Sequence, residues 1–171
     1  MKRLCFAAVA ILSLAFGGAT AVAADGGATI ETSPVTFVLS SATCSNLPDG
    51  TTIAGTGTEK SITTTRTDRS GVTTIVNSTH AFGTATDQAG NSYVFDYSNE
   101  FRASNTTADP GVFSGLMSDH FSLAGKGPLR VSNGFVALLT TDFSSFFSFE
   151  EINSRGDPID FATGAAHCDP L

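Results

Sequence analysis

Apolar and polar residues alternate along several long stretches of this chain, most clearly between Tyr93 and Arg102. A period of two residues is the pattern of a β-strand that buries one face and exposes the other. Charged and small residues occupy the even-numbered positions from Val94 to Arg102. The pattern therefore predicts a strand whose opposite face consists of Tyr93, Phe95, Tyr97, Asn99 and Phe101.

Other stretches rich in Thr, Ser, Val and Phe are separated by turn clusters such as Asn46–Gly50 and Asp87–Asn91. This layout is typical of an all-β domain, and no stretch has the spacing of an amphipathic helix. Gly55 and Gly57 stand where large inward residues are expected, which predicts a bulge or a tight bend. The remaining predicted strands are Val35–Ser40, Ile53–Thr58, Lys60–Thr67, Val72–Thr86, Val112–Ala124, Leu129–Thr141 and Phe143–Ile152, with a short closing strand at Pro158–Phe161.

Short connections between consecutive strands predict an antiparallel meander of about eight strands that closes into a single β-barrel, because closure removes exposed strand edges. A two-sheet β-sandwich is the alternative, and the sequence does not separate the two. The predicted organisation is a signal peptide at residues 1–24, a flexible lead-in at 25–33 and one barrel-like domain at 34–171.

The N-terminus has the three parts of a secretory signal peptide. Lys2 and Arg3 are positive, residues 4–16 are mostly apolar, and Ala21–Ala24 ends a small-residue segment that resembles a cleavage site. The apolar stretch is short for a membrane span. We therefore expect a secreted, extracellular protein of about 147 residues with no membrane span after cleavage, a length that suits one domain.

Charge narrows the classes of partner. Without Lys2 and Arg3, seven Lys and Arg residues face sixteen Asp and Glu residues, a net charge of −9. A surface this acidic repels nucleic acid and anionic lipid, so we expect neither as a partner. The sequence does not identify a protein partner.

Two of the three cysteines, Cys44 and Cys168, remain after signal cleavage. An even pair in an oxidising compartment indicates a disulfide rather than redox thiols, which normally lie close together in sequence. We expect Cys44 and Cys168 to pair and to tie the two ends of the domain together.

The order of signal peptide, early Cys44, β-meander and terminal Cys168–Leu171 resembles that of small secreted bacterial β-barrel proteins, many of them uncharacterised. In architecture the chain also resembles lipocalin-like and dirigent-like barrels, which hold small apolar molecules. The resemblance implies a barrel with a lumen, and it brings no catalytic residues with it.

No catalytic motif is present, and His80, His120 and His167 lack the short spacing that most metal sites use, so we expect no metal and no cofactor. Aromatic walls with a few polar groups are what a small-molecule cavity needs. The leading hypothesis is a non-catalytic protein that binds a small apolar or aromatic ligand in the barrel lumen. Its candidate ligand-binding residues are Tyr93, Phe95, Tyr97, Asn99, Phe101, His80 and His120.

Two alternatives stay open. A cyclase- or isomerase-like enzyme requires His80, His120 and Tyr97 to face the cavity together, although the absence of a motif favours a protein that is not an enzyme. A surface interaction or structural protein instead has a filled core, and it uses Phe143–Phe149 or the loop at Asn105 as its contact. Asn77 and Asn105 also begin glycosylation sequons, of which Asn105, in a predicted loop, is the better acceptor.

Overall fold

The computed structural model describes residues 27–42, 44, 46–144 and 147–156. These residues form one sheet of seven antiparallel strands, in which every strand pairs with the next one along the chain. The strands are β1 (Ala28–Ser40), β2 (Thr52–Thr67), β3 (Thr73–Asp87), β4 (Ser92–Ser104), β5 (Phe113–Gly125), β6 (Val131–Thr141) and β7 (Phe147–Arg155). The described part contains no helix that is long and apolar enough to cross a membrane.

The all-β antiparallel meander is confirmed, but closure into a barrel is not. Among the described strands, β1 and β7 are the two edges of the sheet and no pairing joins them. The predicted signal peptide at 1–24 and the predicted closing strand at Pro158–Phe161 lie outside the described residues. The structure therefore shows an open seven-stranded sheet.

Two strands are longer than the sequence pattern predicts. Residues 53–58 and 60–67 form the single strand β2, because Glu59 pairs in the same register as its neighbours, with Ser33 and Ala81. Strand β1 begins at Ala28, within the stretch expected to be a flexible lead-in, and Ala28 pairs with Thr64. Residues 28–33 are mostly polar on both faces, so they have no alternation that a sequence reading can detect.

The two faces of the sheet differ sharply in exposure. Directly paired residues of neighbouring strands share a face, and the register places the odd-numbered residues of β1–β6 on the same side. Tyr93 on this side is 2% exposed, whereas its neighbour Val94 on the other side is 61% exposed. We call the odd-numbered side the concave face and the even-numbered side the outer face.

The sheet curls strongly over its concave face. Phe37 of β1 meets Phe95 of β4 with ring centroids 4.9 Å apart and planes at 87°, and it also reaches Phe121 of β5 at 5.9 Å. Neighbouring strands lie about 4.8 Å apart, so β1 and β4 would be about 14 Å apart in a flat sheet. Direct ring contact between these strands therefore requires the intervening sheet to bend.

Three glycines on the concave face leave room for this contact. Gly55 and Gly57 of β2 and Gly83 of β3 lie between the two strands that supply the rings. A Cβ atom on Gly55 would overlap the Phe37 ring, and one on Gly57 or Gly83 would lie 2.7 Å from the Phe95 ring. We call these residues the glycine patch.

The glycines Gly55 and Gly57 predicted a bulge or a tight bend, and of these two features the bulge is absent. The register of β2 with β1 and with β3 continues through both residues without a shift. The bulge in the sheet instead falls between Val136 and Ala137, where β6 pairs with β7. The glycines of β2 serve packing across the curl rather than a break in the ladder.

A first apolar cluster fills one end of the curl, and the loop between β1 and β2 covers it. The loop residues Cys44 and Leu47 are buried in this cluster, at 1% and 5% exposure. The Asn46 amide Nδ2 donates a 2.7 Å hydrogen bond to Asn133 Oδ1 of β6. The loop thus spans the mouth of the curl from β1 to β6, although the strands of the two edges do not pair.

The turn between β3 and β4 holds Tyr93, one of the largest fully buried side chains of this cluster. Asp87 accepts hydrogen bonds from the Asn91 side chain, from the backbone of Ala89 and Asn91, and from the Tyr93 hydroxyl at 2.8 Å. The bond from the Asn91 side chain is the main cause that lowers the pKa of Asp87. Burial, followed by the bond to Asp87, raises the pKa of Tyr93. The pairing therefore favours a charged carboxylate beside a neutral phenol.

The glycine patch gives a direct test of the curl. We expect Gly57→Val to lower the free energy of unfolding by about 1–3 kcal/mol or more, because the added atoms overlap the Phe82 backbone oxygen and the Phe95 ring. Thr56→Val is the matched control: Thr56 is the next residue on the outer face and is exposed, so its change should stay within about 0.5 kcal/mol. Urea unfolding of both variants measures the difference. Equal stability of the two variants would contradict the curl.

Candidate functional site

The aromatic residues predicted to line a lumen lie together on the concave face. Tyr93, Phe95, Tyr97, Asn99 and Phe101 are all buried, between 2% and 8% exposed. The Phe95 ring packs edge-to-face on Phe37 and lies 6.4 Å from the Phe121 ring. Tyr93, Phe95 and Tyr97 belong to the first apolar cluster. These rings therefore act as packed core in the described structure.

His80 and His120 do not join them. Both histidines are even-numbered and lie on the outer face. His80 of β3 and His120 of β5 both pair with Ser98, on the strand β4 between them. Tyr97, the next residue, points to the opposite face and is buried. The structure thus does not bring His80 and His120 together with Tyr97 and Asn99, because antiparallel register assigns the two sets to different faces.

A buried carboxylate lies in the middle of the concave face. Asp119 is 7% exposed, and its Oδ2 atom accepts hydrogen bonds from the Tyr97 hydroxyl at 2.7 Å and from Asn99 Nδ2 at 3.0 Å. Asn99 lies directly opposite Asp119 in the pairing of β4 with β5. Two donors on one oxygen compensate part of the cost of burying this charge. The other oxygen, Oδ1, accepts no hydrogen bond from any described residue.

A second hydrogen-bonded group continues this polar surface toward β2. Asn77 Nδ2 donates to Ser61 Oγ at 2.9 Å and to Thr63 Oγ1 at 2.8 Å. The Thr79 hydroxyl shares its one proton between Asn77 Oδ1 and Ser61 Oγ, both at 3.1 Å. Because Thr79 lies directly opposite Asn99, the two groups form one band across β2–β5. We call the band the polar belt: Ser61, Thr63, Asn77, Thr79, Asn99 and Asp119.

A second apolar cluster lies beyond the belt, at the other end of the curl. Phe101, Ala103 and Leu139 are its buried members, and four half-buried residues pack against them. Those four residues are Ile75, Phe113, Met117 and Phe149. We call these seven residues the far cluster. It differs from the first cluster because more than half of its members are only partly buried.

Sequence reasoning missed the position of Asp119. Placing His120 in the lumen puts the neighbouring Asp119 on the opposite, solvated face of the strand, and the structure shows the reverse. The signal that identifies the correct face is the odd-numbered series Met117, Phe121 and Leu123, which is larger and more apolar than the even-numbered series. Leu116 is 52% exposed on the outer face, which shows that one large apolar residue does not determine the face of a strand.

The contact residues of the surface-interaction alternative have mixed positions. Phe143 is 47% exposed with φ at 58°, and its ring lies 5.4 Å from Phe113 and 6.2 Å from Phe101 at the edge of the far cluster. Phe146 lies outside the described residues. Asn105 is 6% exposed, accepts a bond from the Thr73 backbone and donates to Pro110. Its buried amide supports the loop and is a poor glycosylation acceptor.

The outer face has a cavity of its own. It measures about 320 Å³ and is lined by Phe82, Gly83, Val94, Phe95, Asp96, Ser122 and Ala124. Phe82 and Val94 are 56% and 61% exposed there. Asp96 Oδ2 lies 2.9 Å from His80 Nε2 at its border. This cavity was not anticipated from sequence, which placed Val94 and Asp96 on the side of their strand opposite the aromatic face.

Within the described part of the chain, no three His, Cys, Asp or Glu side chains are grouped closely enough to hold a metal ion. Comparisons with known protein families, with curated proteins and with solved structures find no match to this chain.

Proposed function

We propose that this chain is an exported, non-catalytic protein that binds a small amphipathic molecule on its concave face. The single observation that supports it best is the contrast between the two ends of the curl. The first cluster is packed and covered by a loop, whereas the half-buried far cluster borders the polar belt. An apolar surface beside a few fixed polar groups is the usual composition of a small-molecule site.

The far cluster is suited to the apolar or aromatic body of the ligand. Met117 adapts its shape readily, and Phe113 and Phe149 present ring surface to an incoming aromatic group. All three are half-buried and lie on the concave side of their strands. This proposal adds a polar end to the apolar or aromatic ligand expected from the sequence and moves the contact from Tyr93 and Phe95 toward Phe101.

The polar belt is suited to a hydrogen-bond donor on the ligand. The carboxylate of Asp119 is fixed by Tyr97 and Asn99 through Oδ2, which leaves Oδ1 to accept a bond from a hydroxyl, amide or amine. A donor that reaches this carboxylate would relieve an incompletely satisfied buried charge. These contacts orient the ligand, with its polar end at the polar belt and its apolar body on the far cluster.

An enzymatic role has less support. Acid–base chemistry needs two positioned groups of suited pKa within reach of the same substrate. His80 and His120 are on the outer face, and Asp119 is held by Tyr97 and Asn99 in an arrangement that suits recognition. A cyclase or isomerase would require histidines on the other side of the sheet.

Binding of the neutral fluorescent probe N-phenylnaphthylamine tests the concave-face proposal. We expect saturable binding that Met117→Gln weakens about tenfold or more, because the amide removes apolar surface from the far cluster. Leu116→Gln is the matched control, since Leu116 is the preceding residue on the outer face and is 52% exposed. Absence of saturable binding, or equal loss in both variants, would refute the proposal.

We further propose that the sheet closes into a barrel and that Cys44 pairs with Cys168. Strands β1 and β7 are edges among the described residues, and an edge of this length is a site for aggregation unless it is covered. Cys44 is buried in the loop that spans from β1 to β6, near the mouth of the curl. A tail held there by Cys168 would lie beside the two open edges.

Peptide mapping of the secreted protein without reductant tests this pairing. We expect a cross-linked peptide that contains Cys44 and Cys168, and we expect Cys168→Ser to speed hydrogen exchange at the β1 amides that point away from β2. The nominal chain-entropy stabilisation of so long a loop is about 4–5 kcal/mol. Alkylation of both thiols before reduction would contradict the pairing, and fast exchange of those amides in the oxidised protein would contradict closure.

A further inference from the structure

The outer-face cavity is a recess formed by residues of β3, β4 and β5. Phe82, Asp96 and Ser122 form one row across the three strands, because Asp96 pairs with Phe82 on one side and with Ser122 on the other. Its volume of about 320 Å³ is at the lower end of the range for small-molecule sites, about 300–1,000 Å³. The recess therefore has room for one small ring.

An exposed aromatic ring supplies the apolar part of this recess. Phe82 is 56% exposed, and the His80 ring lies beside it with centroids 5.7 Å apart and planes tilted by 30°. Exposed Val94 stands next along the neighbouring strand. Phe82 thus presents ring surface to solvent, backed by an imidazole, where a flat ligand can stack.

Polar side chains lie near the Phe82 ring. Asp96 Oδ2 is paired with His80 Nε2 at 2.9 Å, and Asp96 Oδ1 accepts no hydrogen bond from any described residue. Ser122 lies directly across from Asp96, and Ser98 lies between His80 and His120 in the next row. The recess itself therefore combines the Asp96 carboxylate and the Ser122 hydroxyl with a single aromatic platform, and His80 lies at its border.

We propose that this recess is a second binding site, one that takes a neutral pyranose. The C–H face of a pyranose carries partial positive charge and packs on the negative face of an aromatic ring, as the edge of another ring does. Its hydroxyl groups both donate and accept, which matches the carboxylate of Asp96 and the hydroxyl of Ser122. This site is on the opposite side of the sheet from the polar belt, so it is independent of the concave-face proposal.

A neutral sugar fits these groups better than an organic cation does. Recognition of a quaternary ammonium normally uses a cage of several aromatic rings. Of the two phenylalanines that line this recess, only Phe82 has its side chain on the outer face of the sheet, since Phe95 is buried on the concave side. The charge of Asp96 is also already engaged by His80 in an exposed pair. Hydroxyl groups can bond to the remaining oxygen without displacing that imidazole.

Amide chemical shifts of the exported protein, titrated with the methyl glycosides of glucose, galactose, mannose and N-acetylglucosamine, test the proposal. We expect at least one glycoside to give saturable shifts at millimolar concentration, centred on Phe82, Asp96 and Ser122. Phe82→Ala should weaken that binding about tenfold, because it removes the platform. Asp96→Asn should weaken it less, because the amide oxygen still accepts a hydrogen bond.

Leu116→Ala is the control, because Leu116 is an exposed apolar residue of the outer face of β5 that lies outside the recess. The Leu116→Ala variant should bind the glycoside with the same affinity as the unmodified protein. Phe82 is exposed, so its substitution should leave the chemical shifts of the core unchanged, and this comparison separates lost binding from lost folding. Any of three results overturns the proposal: no saturable shift with any glycoside, equal binding by Phe82→Ala, or saturation by tetramethylammonium alone.

Discussion

Contact between Phe37 and Phe95 determines the shape of this molecule. The two rings belong to strands that are separated by β2 and β3, yet their centroids are 4.9 Å apart. That distance is available only because Gly55, Gly57 and Gly83 leave no side chain between the rings and the sheet. Burial of two phenylalanines and their edge-to-face contact favour the curled sheet over a flat one, so a local absence of side chains sets a global curvature.

The curl gives the two faces different roles. On the concave side it brings the first apolar cluster together under the β1–β2 loop, and it leaves the polar belt and the far cluster toward the other end. On the outer side, the row of Phe82, Asp96 and Ser122 faces away from the core. Each proposed site follows from the register, which places odd-numbered residues on the concave face and even-numbered residues on the outer face. The register therefore determines which side chains can act together in one site.

Much of the fold is readable from the sequence because alternation and turn residues are local signals. Strand β4 is the best case, since Tyr93–Phe101 alternate with charged and small residues and all five inward residues are buried. Residues 28–33 and the junction at Glu59, which joins two predicted strands into β2, were harder, because mostly polar side chains leave no period to detect. Long-range pairing orders these segments, and a local pattern does not record it.

The candidate site was less predictable, since it depends on which positions of different strands share a face. His80 and Tyr97 each looked suitable for one lumen, but the pairing of Ala81 with Tyr97 and of His80 with Ser98 places them on opposite sides. Asp119 was overlooked for the same reason, although Phe121 and Leu123 mark its face as the buried one. Gly55 and Gly57 were recognised as unusual, yet their purpose is evident only once Phe37 and Phe95 are seen across the curl.

The most direct measurement of the central claim is a nuclear Overhauser experiment on the purified protein with selectively labelled phenylalanine. A curled sheet predicts strong cross-peaks between the ring protons of Phe37 and those of Phe95, whose centroids are 4.9 Å apart. A flat sheet would separate the two strands by about 14 Å and give no such cross-peak. Absence of this cross-peak in the folded protein would contradict the curl and, with it, the division of the sheet into a concave face and an outer face.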